Sequence, residues 1–109
     1  MPPPKPRILY RSSAEEDLNQ ISDYILDNAG PITARRFIER IRKTCQRRAI
    51  FPLGAAEVFP GIRSFPVGAY VVFYRPLEDG LDILAVKHGR RDLPRLLRKE
   101  LGLDTRSVK

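Results

Sequence analysis

The sequence predicts an α+β domain in the order β-α-α-β-β-β, with a helical hairpin packed on one face of a mainly antiparallel sheet. Three observations predict it. Two stretches of helical apolar spacing stand side by side, separated only by Asn28, Ala29, Gly30 and Pro31. Three strand-like runs follow between Ile62 and His88, joined by short turns that contain glycine. A short apolar run, Arg7 to Arg11, precedes the helices and is bounded by prolines.

Each element has its own signal. Arg7–Arg11 reads as a strand. Ser12 or Ser13 is expected to cap the first helix, because Glu15 and Glu16 sit at capping-box spacing from them. Glu15, Glu16 and Asp17 also suit the positive end of a helix. Ala14, Leu18, Ile21 and Ile25 form its apolar stripe, with Tyr24 beside it. Gly30 and Pro31 end it. The second helix is expected from about Ile32 to Ile50, with Ala34, Phe37, Ile38, Ile41, Cys45 and Ala49 turned inward. Its outer face carries seven cations, Arg35, Arg36, Arg40, Arg42, Lys43, Arg47 and Arg48, against Glu39. Residues 54–61 read as a loop. Strands are expected at Ile62–Pro66, Ala69–Arg75 and Leu81–His88, with turns at Val67-Gly68 and Glu78-Asp79-Gly80. The middle strand is apolar on both faces and belongs at the centre. The second face of the sheet is expected to stay partly open. Residues 1–6 read as a flexible Pro-rich tail, 7–93 as one domain, and 94–109 as a basic, partly helical extension.

The chain has 109 residues and a net charge of +7, which fits one basic domain. Such a balance favours nucleic acid, an anionic surface or an acidic protein partner. It also serves solubility alone. One cysteine, Cys45, excludes an internal disulfide. No apolar run is long enough to span a membrane and no signal-peptide pattern is visible, so a cytoplasmic location is expected. One His and one Cys cannot supply a zinc site, and no phosphate-binding glycine motif is present. Neither metal nor cofactor is expected.

The residues that carry chemistry cluster around the sheet. Cleaving RNA through its 2′-hydroxyl needs a general base, a general acid and cations for the phosphate. Glu57, Arg63, His88 and Arg91 are the right residue types for that, with Arg75 and Arg90 near them. The same side chains equally suit plain binding: Arg63, Arg75, Lys87, His88, Arg90, Arg91 and Arg95 form a cationic set for a target or for carboxylates of a partner. Phe65, Tyr70, Phe73 and Tyr74 are stacking candidates, although strand aromatics more often fill cores.

Several of these pieces, in this order, carry a resemblance. Ala14-Glu15-Glu16-Asp17-Leu18, Tyr24-Ile25, Ala34-Arg35-Arg36, Phe51-Pro52, the run Ile62–Gly68, the run Tyr70–Arg75, Gly80 and the run Val86–Asp92 together resemble the RelE/ParE superfamily of bacterial type II toxins, nearest the ParE branch. The resemblance covers roughly residues 7–93. It implies a ParD-like antitoxin in a hetero-oligomer, and toxicity by binding DNA gyrase and blocking replication, with no reaction of the chain's own and no direct contact with nucleic acid. The alternative it implies is a RelE-like, ribosome-dependent mRNA endoribonuclease. Two departures favour the gyrase branch. One nuclease group places Tyr directly after the strand-end His, where this chain has Gly89. Another uses several lysines, and residues 44–86 contain none.

Overall fold

The computed structural model describes residues 5–90 together with Arg95, Arg98, Lys99 and Gly102. Its elements are β1 (Arg7–Tyr10), α1 (Ser12–Ala29), α2 (Pro31–Arg48), β2 (Ala56–Phe59), β3 (Ile62–Val67), β4 (Tyr70–Leu77) and β5 (Gly80–His88). They form one five-stranded sheet in the order β1-β5-β4-β3-β2. β1 runs parallel to β5 and every other pair is antiparallel. The expected architecture holds, with β4 at the centre and one more strand than expected. β2 lies where a loop was read: Pro60 and Gly61 turn it back onto β3, with Glu57 opposite Arg63. Its four residues carry a bulge and mostly exposed side chains, so they lack the apolar alternation that betrays a strand.

The helices form by the expected spacing. Ala14, Leu18 and Ile21 of α1 and Ala34, Ile41 and Cys45 of α2 are buried. Gly30 joins them at φ +90°, a backbone conformation that L side chains rarely adopt, and Pro31 starts α2. The serine caps do not form. α1 begins after Arg11, whose carbonyl accepts the Glu15 N–H at 2.9 Å. Ser13 instead donates to the Leu84 carbonyl at 2.7 Å.

That bond belongs to a larger device. β1 pairs with β5 only as far as Tyr10 opposite Ile83, leaving the rest of that β5 edge without a strand partner among the described residues. Side chains of α1 take over the ladder: Ser13 holds the Leu84 carbonyl, and one helical turn later Asp17 Oδ2 accepts the Val86 N–H at 2.9 Å. A four-residue helical spacing thus continues the hydrogen bonding that β1 abandons.

A register shift between Phe73 and Tyr74 reverses the facing of β5. Leu81, Ile83 and Val86 pack with the helices, while Leu84 and Ala85 join Phe59, Ile62 and Phe73 in a second cluster. Since Phe73 alternates with Val72 and Tyr74, this cluster lies on the opposite face. That face is partly open, as expected: these five residues are buried, whereas Arg75 on the same face is exposed. Gly80 starts β5 rather than ending a turn; a Cβ there would collide with the Arg7 backbone.

Candidate functional site

A groove of about 670 Å³ opens between α1 and the exit of β5. Ile21, Tyr24 and Ile25 line its helical side, and Tyr70, Val86 and His88 its sheet side. Tyr70 and His88 are directly opposite across the β4–β5 ladder. Their rings meet edge to face, with centroids 5.2 Å apart at 76°. Phe37 of α2 packs against Tyr70 in a tilted contact, with centroids 5.5 Å apart. The His88 ring is thus fixed from one side by aromatic packing. On the other side its Nδ1 accepts the Arg90 backbone N–H at 3.1 Å, which leaves Nε2 to carry the proton of the neutral ring.

At the inner end of the groove lies a buried ion pair. Lys87 Nζ donates to Asp17 Oδ1 at 2.8 Å, and both side chains are 8% exposed. Asp17 therefore binds β5 twice, once through the Val86 amide and once through the Lys87 ammonium. The ammonium of Lys87, expected to face a partner, serves the interior.

The remaining candidates separate. Arg90 is exposed at the groove rim. Arg63 lies opposite Tyr74 on β4, whereas His88 lies opposite Tyr70. Four residues of β4 separate these positions, roughly 13 Å at the usual strand rise. The Arg63 guanidinium is also engaged elsewhere, since Nη1 donates to the Leu53 carbonyl at 3.1 Å and the Ala55 carbonyl at 2.6 Å. Glu57, opposite Arg63, stays at that far end. Arg75 is exposed and follows Tyr74, so it points to the opposite face. Arg91 lies outside the described residues. Arg95, Arg98 and Lys99 are helical and exposed, and Gly102 is exposed; the other residues of the expected extension, and residues 1–4 of the expected tail, lie outside the described residues.

Phe65, Phe73 and Tyr74 are core residues. Cys45 is fully buried beside Tyr10, and burial pushes its thiol up to about 11. Burial likewise raises the Tyr10 hydroxyl, over whose ring Arg42 sits at 4.7 Å. This cluster is structural. Among the described residues, no three His, Cys, Asp or Glu side chains are grouped to hold a metal.

Sequence reasoning missed Asp17 and Tyr24 as site residues. The signal for Asp17 was present: it is three residues from Ala14 and four from Ile21, so helical spacing puts it on the buried stripe.

Comparison with known proteins accords with this architecture. Residues 8–93 match the family model described as the ParE toxin of the type II toxin-antitoxin system parDE. The chain is 29% identical over 97 residues to Toxin ParE3 of Caulobacter vibrioides, covering 86% of this chain and 97% of the relative. Its fold is similar to a chain in the structure titled as the chromosomal ParDE TA system from P. aeruginosa, with a TM-score of 0.67 at 19% identity, covering 77% of this chain and 96% of that one. The chain belongs to the ParE toxin family of parDE type II toxin-antitoxin systems.

Proposed function

We propose that the chain acts in the cytoplasm by binding DNA gyrase and blocking replication, with no reaction of its own, and that a ParD-type antitoxin neutralises it. Family membership implies the ParD-type partner. The observation that carries the rest is the dispersal of the nuclease-type residues. His88 stands at the groove, while Glu57 and Arg63 stand at the far end of β3, and Nη1 of Arg63 is held by two backbone carbonyls. One phosphodiester cannot reach both groups, whereas a general acid and base must lie within hydrogen-bond distance of the same reacting atoms.

The groove suits a peptide better than a nucleotide chain. Its walls are aliphatic and aromatic, and His88 and Arg90 stand at its sheet-side rim. An acidic antitoxin segment would place apolar side chains against Ile21, Tyr24 and Ile25 and carboxylates near Arg90. Complementary charge then speeds encounter while the apolar anchors set the lifetime of the complex.

The test is a titration of the purified chain into gyrase supercoiling and, in parallel, into ribosomes translating a defined mRNA. Loss of supercoiling with intact message supports the reading. Message cleavage with unaffected supercoiling replaces it with the endoribonuclease alternative.

A further inference from the structure

The connection between α2 and β2 is built the wrong way round for an ordinary surface loop. Ile50, Phe51 and Leu53 are 59%, 74% and 68% exposed, and Phe51 is the most exposed large hydrophobic residue among those described. Surface connections normally carry polar side chains, and isolated exposed apolar residues need no explanation. Here three occur within four positions.

Their backbone is also held firmly. The Phe51 N–H donates to the Arg48 carbonyl at 3.1 Å and the Gly54 N–H to the Phe51 carbonyl at 2.9 Å. The hydroxyl of Tyr74, a fully buried residue, reaches the Pro52 carbonyl at 2.6 Å. Arg63 ties Leu53 to Ala55. The loop therefore presents its apolar side chains from a preorganised frame, the arrangement that lowers the ordering cost of binding.

The surroundings are cationic. From Lys43 to Arg63 the chain carries Lys43, Arg47, Arg48 and Arg63 against one acid, Glu57, while Arg42 pairs with Glu15. A second copy of a +7 chain would set these cations against themselves. The surface fits an acidic protein partner with an apolar recess.

We propose that Ile50–Leu53 is the anchor through which the chain engages its protein target, separate from the groove that receives antitoxin. The proposal rests on the gyrase reading and deepens it. Tyr74 and its β3 partner Arg63, which brace the loop, lie four residues along the β4 ladder from Tyr70 in the groove. Substitutions in the loop therefore leave the groove residues in place, so target binding and antitoxin binding are separable by mutation.

The test compares the full-length chain with the Phe51→Ser/Leu53→Ser double variant in gyrase supercoiling, with sedimentation to follow self-association. Leu53→Ser alone provides a milder cut, and Phe51→Leu/Leu53→Ile preserves the apolar character. Expected is a loss of inhibitory potency of at least about ten-fold for the double variant, a smaller loss for Leu53→Ser and retention in the conservative variant, with unchanged circular dichroism. Full inhibition by the folded serine variants overturns the proposal alone. So does a wild-type dimer that the double variant dissolves, since a second copy is then the occupant. A wild-type chain that leaves gyrase untouched overturns the gyrase reading, and the proposed occupant with it.

Discussion

At the exit of β5, charge is turned inward: Asp17 and Lys87 pair at 2.8 Å in the interior, and the groove beside them is walled by Ile21, Tyr24 and Tyr70. At the other end of the same sheet the interior is used to reach outward. Tyr74 and Arg63 spend their donors on loop carbonyls, and Phe51 and Leu53 are left in solvent. One end is a cavity whose shape depends on a buried ion pair. The other is a protrusion whose shape depends on neutral and cationic donors to backbone. The two surfaces therefore fail for different reasons, which mutation can separate.

Asp17→Ala should have the largest effect. It removes the carboxylate that holds the Lys87 ammonium and the Val86 N–H, and loss of one partner of a buried pair costs about 3–5 kcal/mol. Urea denaturation should show that loss, with the groove disordered and antitoxin affinity gone. A loss below about 1 kcal/mol would mean that water reaches the pair, and that the inward-charge description of this end is wrong.

Tyr24→Ala comes next, and acts on binding rather than folding. Tyr24 is 63% exposed, so the fold should tolerate its removal. As an aromatic anchor in the groove it should weaken antitoxin binding by about 2 kcal/mol in calorimetry. Unchanged affinity would move the antitoxin off this end.

Tyr74→Phe probes the opposite end. It removes the hydroxyl's hydrogen bonds to the Pro52 carbonyl and the Ala55 backbone and should cost about 1–2 kcal/mol. Amide exchange at Gly54 should rise while exchange at Val86 stays as in the wild type. Equal acceleration at both ends would show that the two are not independent.

A further effect is confined to alkaline pH and absent near neutrality. Burial holds the Cys45 thiol up to about 11, against an ordinary value of 9.0. Above 9 the unfolded chain releases this proton and the folded chain keeps it, so stability is full below that point and declines as pH rises towards 11. Cys45→Ala should flatten part of this decline in thermal melts, without altering either surface.

The layout of helices, central strand and hairpin turn was legible because it rests on apolar periodicity: Ala14, Leu18 and Ile21 in α1, and the continuous run Tyr70–Tyr74 in β4. β2 was illegible because its side chains are mostly exposed and its pairing is backbone bonding to β3. The caps failed for a related reason. Ser13 has the right chemistry for a helix start, but the unpaired edge of β5 offered its hydroxyl a carbonyl at 2.7 Å. The site was half legible. His88 and Arg90 were placed correctly at the strand exit, since chain order alone puts them there. Lys87 carried the same cationic signal, yet its partner Asp17 is 70 positions away and only the fold brings them together. Arg63 and His88 read as one constellation in sequence, and register puts them at opposite ends.

Whether the chain works by binding or by chemistry turns most directly on His88. His88→Gln keeps a neutral polar side chain at the groove rim but cannot exchange protons near neutrality. Induced in bacteria and confirmed to fold, it should arrest growth as the wild type does, with a DNA damage response and intact mRNA. If the wild type cleaves mRNA and folded His88→Gln loses both cleavage and toxicity, the chain is a nuclease and the binding account is wrong.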